Sequence, residues 1–382
     1  MVNAAALVSR SLTVSALERA VPSRIAVFRA LQLGDMLCAV PALLALRTAF
    51  PRARITLIGL PWAKAFVERY SQLVDDLCVF PGAVGFPEQA ESDARLAAFI
   101  AAARERNLDL AIQLHGSGGV ANDIVFELGA RHCAGFVQPG ESRAGCFIPW
   151  PEQLREPERY TALMRALGVP ADNSALWFPL KWIDRAEAAA LLEEHGARDR
   201  SFVVVHPGAQ LPSRRWPPSR FAAVADAMAG LGKTVFITGT PAEKSLAEAV
   251  RAAMSRDAIS LVGRTTLGGL AALVERAHLV ICNDTGISHI AAAMRRPSVV
   301  VACGSDTARW APADKILHRV VADYPECRPC SFAVCPHGHL CAHAISAAQV
   351  IEAARAQCNY GSRLHLFGSS HHRGDEVHDR LA

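Results

Sequence analysis

The chain lacks the long apolar run that a transmembrane helix requires. A helical span needs about 20 consecutive apolar residues, and although 51% of the 382 residues are hydrophobic, they fall in short runs. Residues 1–23 contain no long apolar segment followed by a cleavage site, so we interpret them as a poorly ordered leader and not as a signal peptide. We therefore expect a cytoplasmic protein whose eleven cysteines form no structural disulfides.

The chain also lacks a large net charge of either sign. Lys and Arg number 40 against 36 Asp and Glu, which gives a net charge of +4. That excess is too small for the basic surface of a nucleic-acid-binding protein, but it suits a small acidic ligand or an anionic membrane surface. The length of 382 residues predicts two domains.

Short apolar strand patterns alternate with helical patterns from Arg24 onward. The strand patterns are at 24–29, 54–60, 108–114, 201–206, 234–238, 259–262, 278–282 and 298–302. The helical patterns are at 36–50, 90–106, 218–231, 241–254 and 345–357. This alternation predicts an α/β protein with parallel sheets covered by helices.

Residues 170–200 interrupt the alternation with two prolines and two tryptophans, and we place the interdomain linker there. The expected organisation is a Rossmann-like domain over 24–180, a second over 181–358, and a polar, disordered tail over 359–382. Two such domains make a cleft, and ligands of open α/β sheets bind beyond the carboxyl ends of the strands. The loops that follow the strands are therefore where we expect the functional residues.

The most informative of these loops is the turn Asn-Asp-Thr-Gly-Ile-Ser-His at 283–289. An apolar run stops at Asn283 and a small-residue helix pattern follows Gly286. The N–H groups at a helix N-terminus bind phosphate, and a glycine lets the ligand approach the backbone. The turn suits an anionic ligand such as a nucleotide diphosphate, and an ordinary turn capped by Asp284 explains it equally well.

Three other turns contain candidate residues, each with an ordinary structural explanation. Asp35 lies in the first strand-to-helix turn, residues 31–35, which lacks the G-x-G-x-x-G fingerprint of dinucleotide-binding proteins. The local sequence favours Asp35 as an N-cap over a role as a carboxylate that takes a proton from a hydroxyl. Arg214 and Arg215 precede a helix that starts with proline and suit a diphosphate, although such pairs are more often solvated. Glu243 either accepts hydrogen bonds from a ribose or simply complements a helix dipole.

A cysteine-rich segment near the C-terminus has the spacing of a metal site. Cys327, Cys330, Cys335 and Cys341 lie within fifteen residues, and the first two form a C-x-x-C pair. Four thiolates would make a closed structural zinc site. An iron–sulfur cluster is a less favoured occupant, and a loop of reduced thiols without metal is the most common outcome for such a segment.

Taken in chain order, these pieces resemble the heptosyltransferases of glycosyltransferase family 9, GT-B enzymes that build the inner core of lipopolysaccharide. The matching segments are 33–35 with 41–43, 206–209, 214–217, 239–243 and 283–289. The resemblance extends over roughly residues 24–357 and implies an α/β GT-B fold, with two Rossmann-like domains whose parallel sheets face a central cleft.

The resemblance also implies roles for individual residues. Asp35 corresponds to the general base, and we place Gly34 and His115 on the acceptor side, although a structural histidine explains His115 as well. The residues that would hold the donor are Arg214, Glu243, Asp284, Thr285, Gly286 and His289. Family members usually have lysine where this chain has Arg214, which keeps the charge and changes the geometry.

The implied reaction is an inverting transfer of a heptose, or a related sugar, from an ADP-sugar such as ADP-L-glycero-D-manno-heptose. The implied acceptor is the lipopolysaccharide core or a similar anionic, lipid-linked saccharide at the inner-membrane surface. No Asp-x-Asp triplet occurs in the chain, so we expect no metal cofactor in catalysis; a structural zinc is a separate question. The alternatives are a nucleotide-sugar epimerase of the same GT-B architecture and a non-catalytic GT-B binding protein.

Overall fold

The computed structural model describes residues 21–89 and 92–367 of the chain. These residues form two compact units that divide between Leu176 and Trp177. The division falls inside the segment 170–200, slightly before the boundary expected at residue 180. Residues 1–20 of the expected leader and residues 368–382 of the expected tail lie outside the described residues.

The first unit is built on a parallel sheet. Its strands are β1 (Arg24–Phe28), β2 (Arg54–Gly59), β3 (Asp76–Val79), β4 (Leu110–Gln113), β5 (His132–Val137) and β6 (Cys146–Pro149), in the spatial order β3-β2-β1-β4-β5-β6. β1 and β4 pair at the centre, with Ile25 opposite Leu110. Every residue of β1 after Arg24 is buried. Because successive strand residues point to opposite faces, both faces of the sheet are covered at β1.

The helices described in this unit connect the strands. They are α1 (Leu33–Ala49), α2 (Ala63–Arg69), α3 (Asp93–Glu105), α4 (Val120–Glu127) and α5 (Glu156–Ala166). α1 starts only a few residues after β1, and α5, the last helix of the unit, packs against α1. This contact brings residues from opposite ends of the unit to the turn that follows β1.

The second unit repeats the architecture. Its strands are β7 (Phe202–His206), β8 (Thr234–Ile237), β9 (Ile259–Ser260), β10 (Leu279–Asn283), β11 (Ser298–Ala302) and β12 (His318–Ala322). They are all parallel, in the order β12-β11-β10-β7-β8-β9. Its described helices are α6 (Trp182–Glu194), α7 (Pro218–Gly230), α8 (Lys244–Ala253), α9 (Leu267–Arg276), α10 (Gly286–Ala293), α11 (Thr307–Trp310), α12 (Leu340–Ala344) and α13 (Ala347–Phe367). Two short 3-10 turns occur at Pro212–Arg214 and Pro241–Glu243.

The two sheets have the same topology. Counted from the first strand of its own unit, each sheet runs 3-2-1-4-5-6, the order of the doubly wound Rossmann fold. The winding reverses between β1 and β4 in one unit and between β7 and β10 in the other, and ligands of such folds bind at the carboxyl ends of those strands. The predicted α/β fold with two parallel, Rossmann-like sheets is confirmed.

Four strands were missed by the sequence analysis. β3, β6 and β12 lie at sheet edges, and β3 and β12 are only partly buried, so a continuous apolar run is not required there. β5 is buried, but its Cys133, Ala134 and Gly135 are small and do not produce the β-branched pattern on which a strand prediction depends.

The last helix is longer than predicted. α13 continues to Phe367, so residues 359–367, expected in a disordered tail, are helical. The helix is anchored before this segment, where Cys358 is buried in the core of the second unit and the Gln357 amide donates a hydrogen bond to the Leu317 carbonyl at 2.9 Å. Once a helix is anchored, each further residue adds a hydrogen bond without a new nucleation cost.

No helix within the described ranges is both long and apolar enough to cross a membrane. All eleven cysteines fall within these ranges, and none of them is joined in a disulfide.

A buried histidine makes the second unit sensitive to acid. The Nδ1 atom of His318 lies 2.8 Å from Ser298 Oγ, and burial lowers the pKa of His318 to about 4, against the opposing charge of Asp314. An unfolded histidine has a pKa of about 6.5, so the unfolded state binds the proton first as the pH falls, and stability is lost between the two values.

We expect the free energy of unfolding to fall between roughly pH 7 and pH 5 by about 2 kcal/mol more in the wild type than in His318→Gln. Urea denaturation of both proteins at the two pH values measures this difference. Equal losses in the two proteins would contradict the assignment.

Candidate active site

The first cluster of candidate residues lies at the carboxyl ends of β1 and β4. Asp35 is the third residue of α1, and Gly34 precedes it in the same turn. The N-cap is Gln32, which makes no side-chain capping bond, so the N-cap interpretation of Asp35 is wrong. Asp35 lies too far inside the helix to cap it, although its charge still complements the helix dipole. Its side chain is 26% exposed, which leaves the carboxylate accessible to a substrate.

Arg29, directly after β1, lies behind Asp35 and is completely buried. Its Nε atom donates a hydrogen bond to the Asp35 carbonyl at 2.9 Å, and its Nη2 atom lies 3.8 Å from Asp35 Oδ1. Its Nη1 atom donates to the Leu114 carbonyl and, at 2.6 Å, to the Tyr160 hydroxyl. Arg29 thus joins the ends of β1 and β4 to the first turn of α1.

The charge of Arg29 is balanced by Glu156 of α5. Nη2 of Arg29 lies 3.6 Å from Glu156 Oε1, which also accepts the hydrogen bond of the Tyr160 hydroxyl. Glu156 Oε2 pairs with Arg159 at 3.5 Å, and all of these side chains except that of Asp35 are almost fully buried. Burial alone would lower the pKa of Arg29, but the nearby Tyr160 oxygen and the negative charges of Asp35 and Glu156 hold it above its usual value.

His115, two residues after β4, is fixed in one orientation. Its Nδ1 atom accepts a hydrogen bond from the Ala30 N–H at 3.1 Å, so the ring proton is on Nε2. The ring stacks on Phe28 with centroids 5.1 Å apart. Burial, followed by the nearby charge of Arg29, lowers the pKa of His115 to about 3. The imidazole is therefore neutral at physiological pH and can offer Nε2–H as a donor.

A second carboxyl group, that of Glu88, lies near Asp35. Burial, followed by the proximity of Asp35, raises the pKa of Glu88, although a backbone hydrogen bond opposes this. Its Oε2 atom is buried and has no hydrogen-bond partner among the described residues. The sequence analysis did not identify Glu88, since it lies in a Gly- and Pro-rich loop without a recognisable motif.

The second cluster lies at the carboxyl ends of β7 and β10, and Asn283 holds it together. Its Nδ2 atom donates to the Pro207 carbonyl at 2.7 Å, and its Oδ1 atom accepts from the Trp216 N–H at 3.0 Å. Both Asn283 and Trp216 are completely buried. Asn283 thus joins the turn after β7, the Trp-Pro segment and the end of β10.

The predicted anion-binding turn follows Asn283. Asp284 donates its N–H to the Val301 carbonyl at 3.1 Å and is not the helix cap, so the alternative interpretation of an Asp284-capped turn is wrong. The cap is Thr285, whose Oγ1 atom is buried and has no partner among the described residues. α10 begins at Gly286, and His289, 5% exposed, lies one turn into it. An uncapped helix N-terminus with an unused hydroxyl fits an anionic ligand.

Glu243 lies at the same edge of the sheet. Its Oε2 atom accepts hydrogen bonds from the N–H and hydroxyl of Thr240, at 2.8 and 2.9 Å. Its Oε1 atom is so near Gly208 that a Cβ atom added there would come within 1.9 Å of it. Glu243 therefore needs glycine at position 208, and its carboxylate lies beside the turn that Asn283 fixes.

Arg214 lies over the end of β11. Its Nη1 atom donates to the Cys303 carbonyl at 3.2 Å, and its Nη2 atom donates to the Cys330 carbonyl. The charges of Arg214 and Asp284 both influence the pKa of the Cys303 thiol, so both side chains lie near that thiol. Arg214 therefore has a structural role that the sequence did not reveal: it fastens the cysteine-rich loop to the sheet.

The four cysteines of the C-terminal segment are not brought together as a set of metal ligands in the described structure. No group of three or more His, Cys, Asp or Glu side chains within the described ranges is arranged to hold a metal ion. Cys341 is buried on α12, and burial raises the pKa of its thiol. The backbone of Cys330 is already fixed, since its N–H donates to the Gly304 carbonyl at 2.9 Å. The C-x-x-C spacing alone did not reveal these two environments.

The structure thus gathers the predicted residues into one cluster per unit. The first holds Gly34, Asp35 and His115; the second holds Arg214, Glu243, Asp284, Thr285, Gly286 and His289. The sequence analysis gave no role to the buried residues behind each cluster. Those residues are Arg29, Glu156 and Tyr160 in the first unit and Asn283 in the second.

Comparison with known proteins identifies the family of the chain. The family model described as glycosyltransferase family 9 (heptosyltransferase) matches residues 96–340, well over half of the chain. Lipopolysaccharide heptosyltransferase 2 of Escherichia coli (strain K12) is 25% identical over 289 residues, which cover 70% of this chain and 79% of that protein.

Solved structures show the same fold. The family 9 glycosyl transferase of Veillonella parvula DSM 2008 superposes with a TM-score of 0.72 at 24% identity, covering 88% of this chain and 98% of that one. E. coli heptosyltransferase WaaC with ADP-2-deoxy-2-fluoro heptose superposes with a TM-score of 0.61 at 19% identity, covering 87% and 99%. The likeness to these structures establishes the GT-B fold.

Proposed function

The chain belongs to glycosyltransferase family 9, the heptosyltransferase family, and on that premise we propose that it moves a heptose, or a related sugar, from an ADP-sugar to an acceptor saccharide. The observation that carries this proposal is the pair of clusters at the two Rossmann switch points. One presents an accessible carboxylate, Asp35, and the other an anion-binding turn at 284–289.

The second unit supplies the donor half of the proposal. The N-terminus of α10 and the charge of Arg214 hold the diphosphate, since backbone N–H groups and guanidinium both favour phosphate. The unused Thr285 hydroxyl and His289 complete this end of the site. Glu243 accepts hydrogen bonds from the ribose, because its Oε1 atom lies beside the Gly208 turn and is not used in its bonds to Thr240.

The first unit supplies the acceptor half. Asp35 takes the proton of an acceptor hydroxyl, whose oxygen attacks the anomeric carbon as the bond from that carbon to the diphosphate oxygen breaks. A single displacement inverts the anomeric configuration and releases ADP with the bonding electrons. Arg214 and the N-terminus of α10 stabilise the charge that develops on the leaving diphosphate. Gly34 lets the acceptor approach the backbone, and His115 offers it Nε2–H.

The acceptor in this proposal is a lipid-linked saccharide of the lipopolysaccharide core, so the reaction takes place at a membrane surface. The support is the E. coli relative, whose name identifies it as a lipopolysaccharide heptosyltransferase. Membership in a transferase family favours transfer over the epimerase and the non-catalytic alternatives.

We further propose that no metal ion takes part in the transfer, because Arg214 and the helix N-terminus supply the positive charge that a divalent cation would provide. Transfer is expected to continue at an unchanged rate after incubation with EDTA and to be unaffected by added Mg²⁺ or Mn²⁺. A rate that is lost with EDTA and restored by one cation would contradict this.

A panel of nucleotides tests the donor assignment. At a concentration of about 100 times its Kd, a ligand stabilises the folded state by about 2.7 kcal/mol, so ADP and ADP-heptose are expected to raise the melting temperature where UDP and GDP do not. Preference for UDP would change the donor class. No shift with any of them would refute the phosphate site.

A further inference from the structure

We propose that Arg29 is a positioning residue for Asp35, and that Glu156 and Tyr160 hold it in place and balance its charge. This inference rests on the proposed function, in which Asp35 is the base. It concerns residues that touch neither sugar nor nucleotide, because Arg29 is completely buried and Glu156 and Tyr160 almost so.

The geometry of Arg29 constrains both the backbone and the charge of Asp35. The Nε bond to the Asp35 carbonyl fixes the first turn of α1, and the bond to the Leu114 carbonyl fixes that turn relative to the end of β4. The direction of the Asp35 side chain is therefore set by a rigid fork, which a lysine could not reproduce.

Nη2 of Arg29 is the informative atom. It is buried, has no hydrogen-bond partner among the described residues, and lies between two carboxylates, 3.8 Å from Asp35 Oδ1 and 3.6 Å from Glu156 Oε1. The positive charge of Arg29 therefore attracts both the Asp35 and the Glu156 carboxylate. Glu156 therefore limits how strongly Arg29 stabilises the ionised form of Asp35, and a carboxylate stabilised less is a stronger base.

A purely structural role would not explain why the network extends to Asp35. Buried ion pairs contribute little net stability compared with apolar residues of the same size. Here charges alternate in sign from Asp35 through Arg29 and Glu156 to Arg159, and the only member with substantial exposure is the proposed base.

Other titratable groups around this network come from several elements. They are Glu88 from the loop after β3, His115 after β4, Cys38 of α1, and Tyr160 and Arg159 of α5. His115 is neutral near pH 7, since its pKa is about 3. Arg29 and Glu156 are thus the buried charges whose removal should change the protonation of Asp35 most directly.

The test compares pH profiles of kcat/KM for Arg29→Gln, Arg29→Lys, Glu156→Gln and Tyr160→Phe. In Arg29→Gln the midpoint of the acidic limb is expected to rise by roughly one pH unit, because an opposite charge within a few ångströms shifts a carboxyl by about that amount. In Glu156→Gln the midpoint of the acidic limb is expected to move to lower pH, because Arg29 then acts on Asp35 alone.

In Arg29→Lys the acidic limb is expected to stay at its wild-type pH, while kcat falls and the KM for the donor is unchanged. Tyr160→Phe, which removes one of the two acceptors of Arg29 Nη1 and leaves the Leu114 carbonyl, is expected to lower kcat by a smaller factor.

The matched control is Arg47→Lys. Arg47 is another largely buried arginine of the same unit, which donates to the Ala53 carbonyl at 2.7 Å and pairs with Asp75 at 2.7 Å, away from Asp35. It is expected to lose thermal stability without moving the acidic limb. If the Arg29 and Glu156 variants behave like Arg47→Lys, the positioning role is refuted.

Two further comparisons separate failure of this inference from failure to fold and from failure of the proposed function. If Arg29→Gln does not fold, Glu156→Gln and Tyr160→Phe, which preserve side-chain shape, decide the question by the presence or absence of a limb shift or a kcat loss. If Asp35→Asn retains activity, the base assignment itself fails. If Asp35→Asn is inactive and the network variants leave the profile unchanged, only the present inference fails.

Discussion

Asp35→Asn is expected to lower kcat by about a thousandfold, because general-base catalysis contributes on that order and an amide cannot take the acceptor proton. Asn keeps the size of the side chain, and the backbone carbonyl of residue 35 remains available to Arg29 Nε. Binding of ADP is expected to be unchanged, since the donor residues belong to the other unit. Initial rates with saturating donor and acceptor, together with calorimetric titration of ADP, measure the two effects.

Asp123→Asn is the matched control. Asp123 belongs to the same unit, is 61% exposed and pairs with Arg143 on the surface. Such pairs contribute little, so this variant should transfer sugar at the wild-type rate. A fast Asp35→Asn enzyme would assign the base to another group, and loss of ADP binding in that variant would mean that the fold was damaged.

Arg214→Met is expected to weaken ADP binding by about 10- to 100-fold, the loss that accompanies removal of a hydrogen bond to a charged partner. Arg214→Lys should recover part of the affinity, because it restores the charge without the planar fork. Calorimetric titration of ADP into each variant provides the dissociation constants.

Arg214 also fastens the cysteine-rich loop, so a control must separate the two roles. Arg220 of α7 likewise donates to backbone carbonyls, those of Ala342 and His343 at 3.0 and 2.8 Å, and has no proposed ligand. Arg220→Met should lower the melting temperature and leave the Kd for ADP unchanged. If Arg214→Met does the same, Arg214 is only a clamp and the diphosphate assignment fails for this residue.

The sequence could predict those parts of the site that are local. The turn at 283–289 combines an apolar strand, a glycine and a helix start within ten residues, and the structure places each where the pattern requires. Asp35 likewise lies in the first turn of α1, a few residues after β1. Short-range patterns of this kind are set by backbone geometry, which the order of residues specifies directly.

The buried partners could not be predicted, because they depend on tertiary packing. Arg29 and Tyr160 are separated by 131 positions and meet only because α5 packs on α1. A charged residue after an apolar strand looks like an exposed loop residue, and nothing local to Glu156 indicates that it lies beneath a candidate base. The arrangement of the cysteine segment could not be predicted for the same reason, since spacing does not show that Cys341 belongs to the core.

The central claim is that this chain is an inverting sugar transferase with an ADP-sugar donor. The most direct measurement is proton NMR of a reaction that contains the enzyme, ADP-heptose of known anomeric configuration and a lipopolysaccharide-core acceptor. The account predicts one ADP released per glycosidic bond formed, with the anomeric configuration of the transferred sugar opposite to that of the donor. Retention of that configuration, or a sugar epimerised while still attached to its nucleotide, would contradict it.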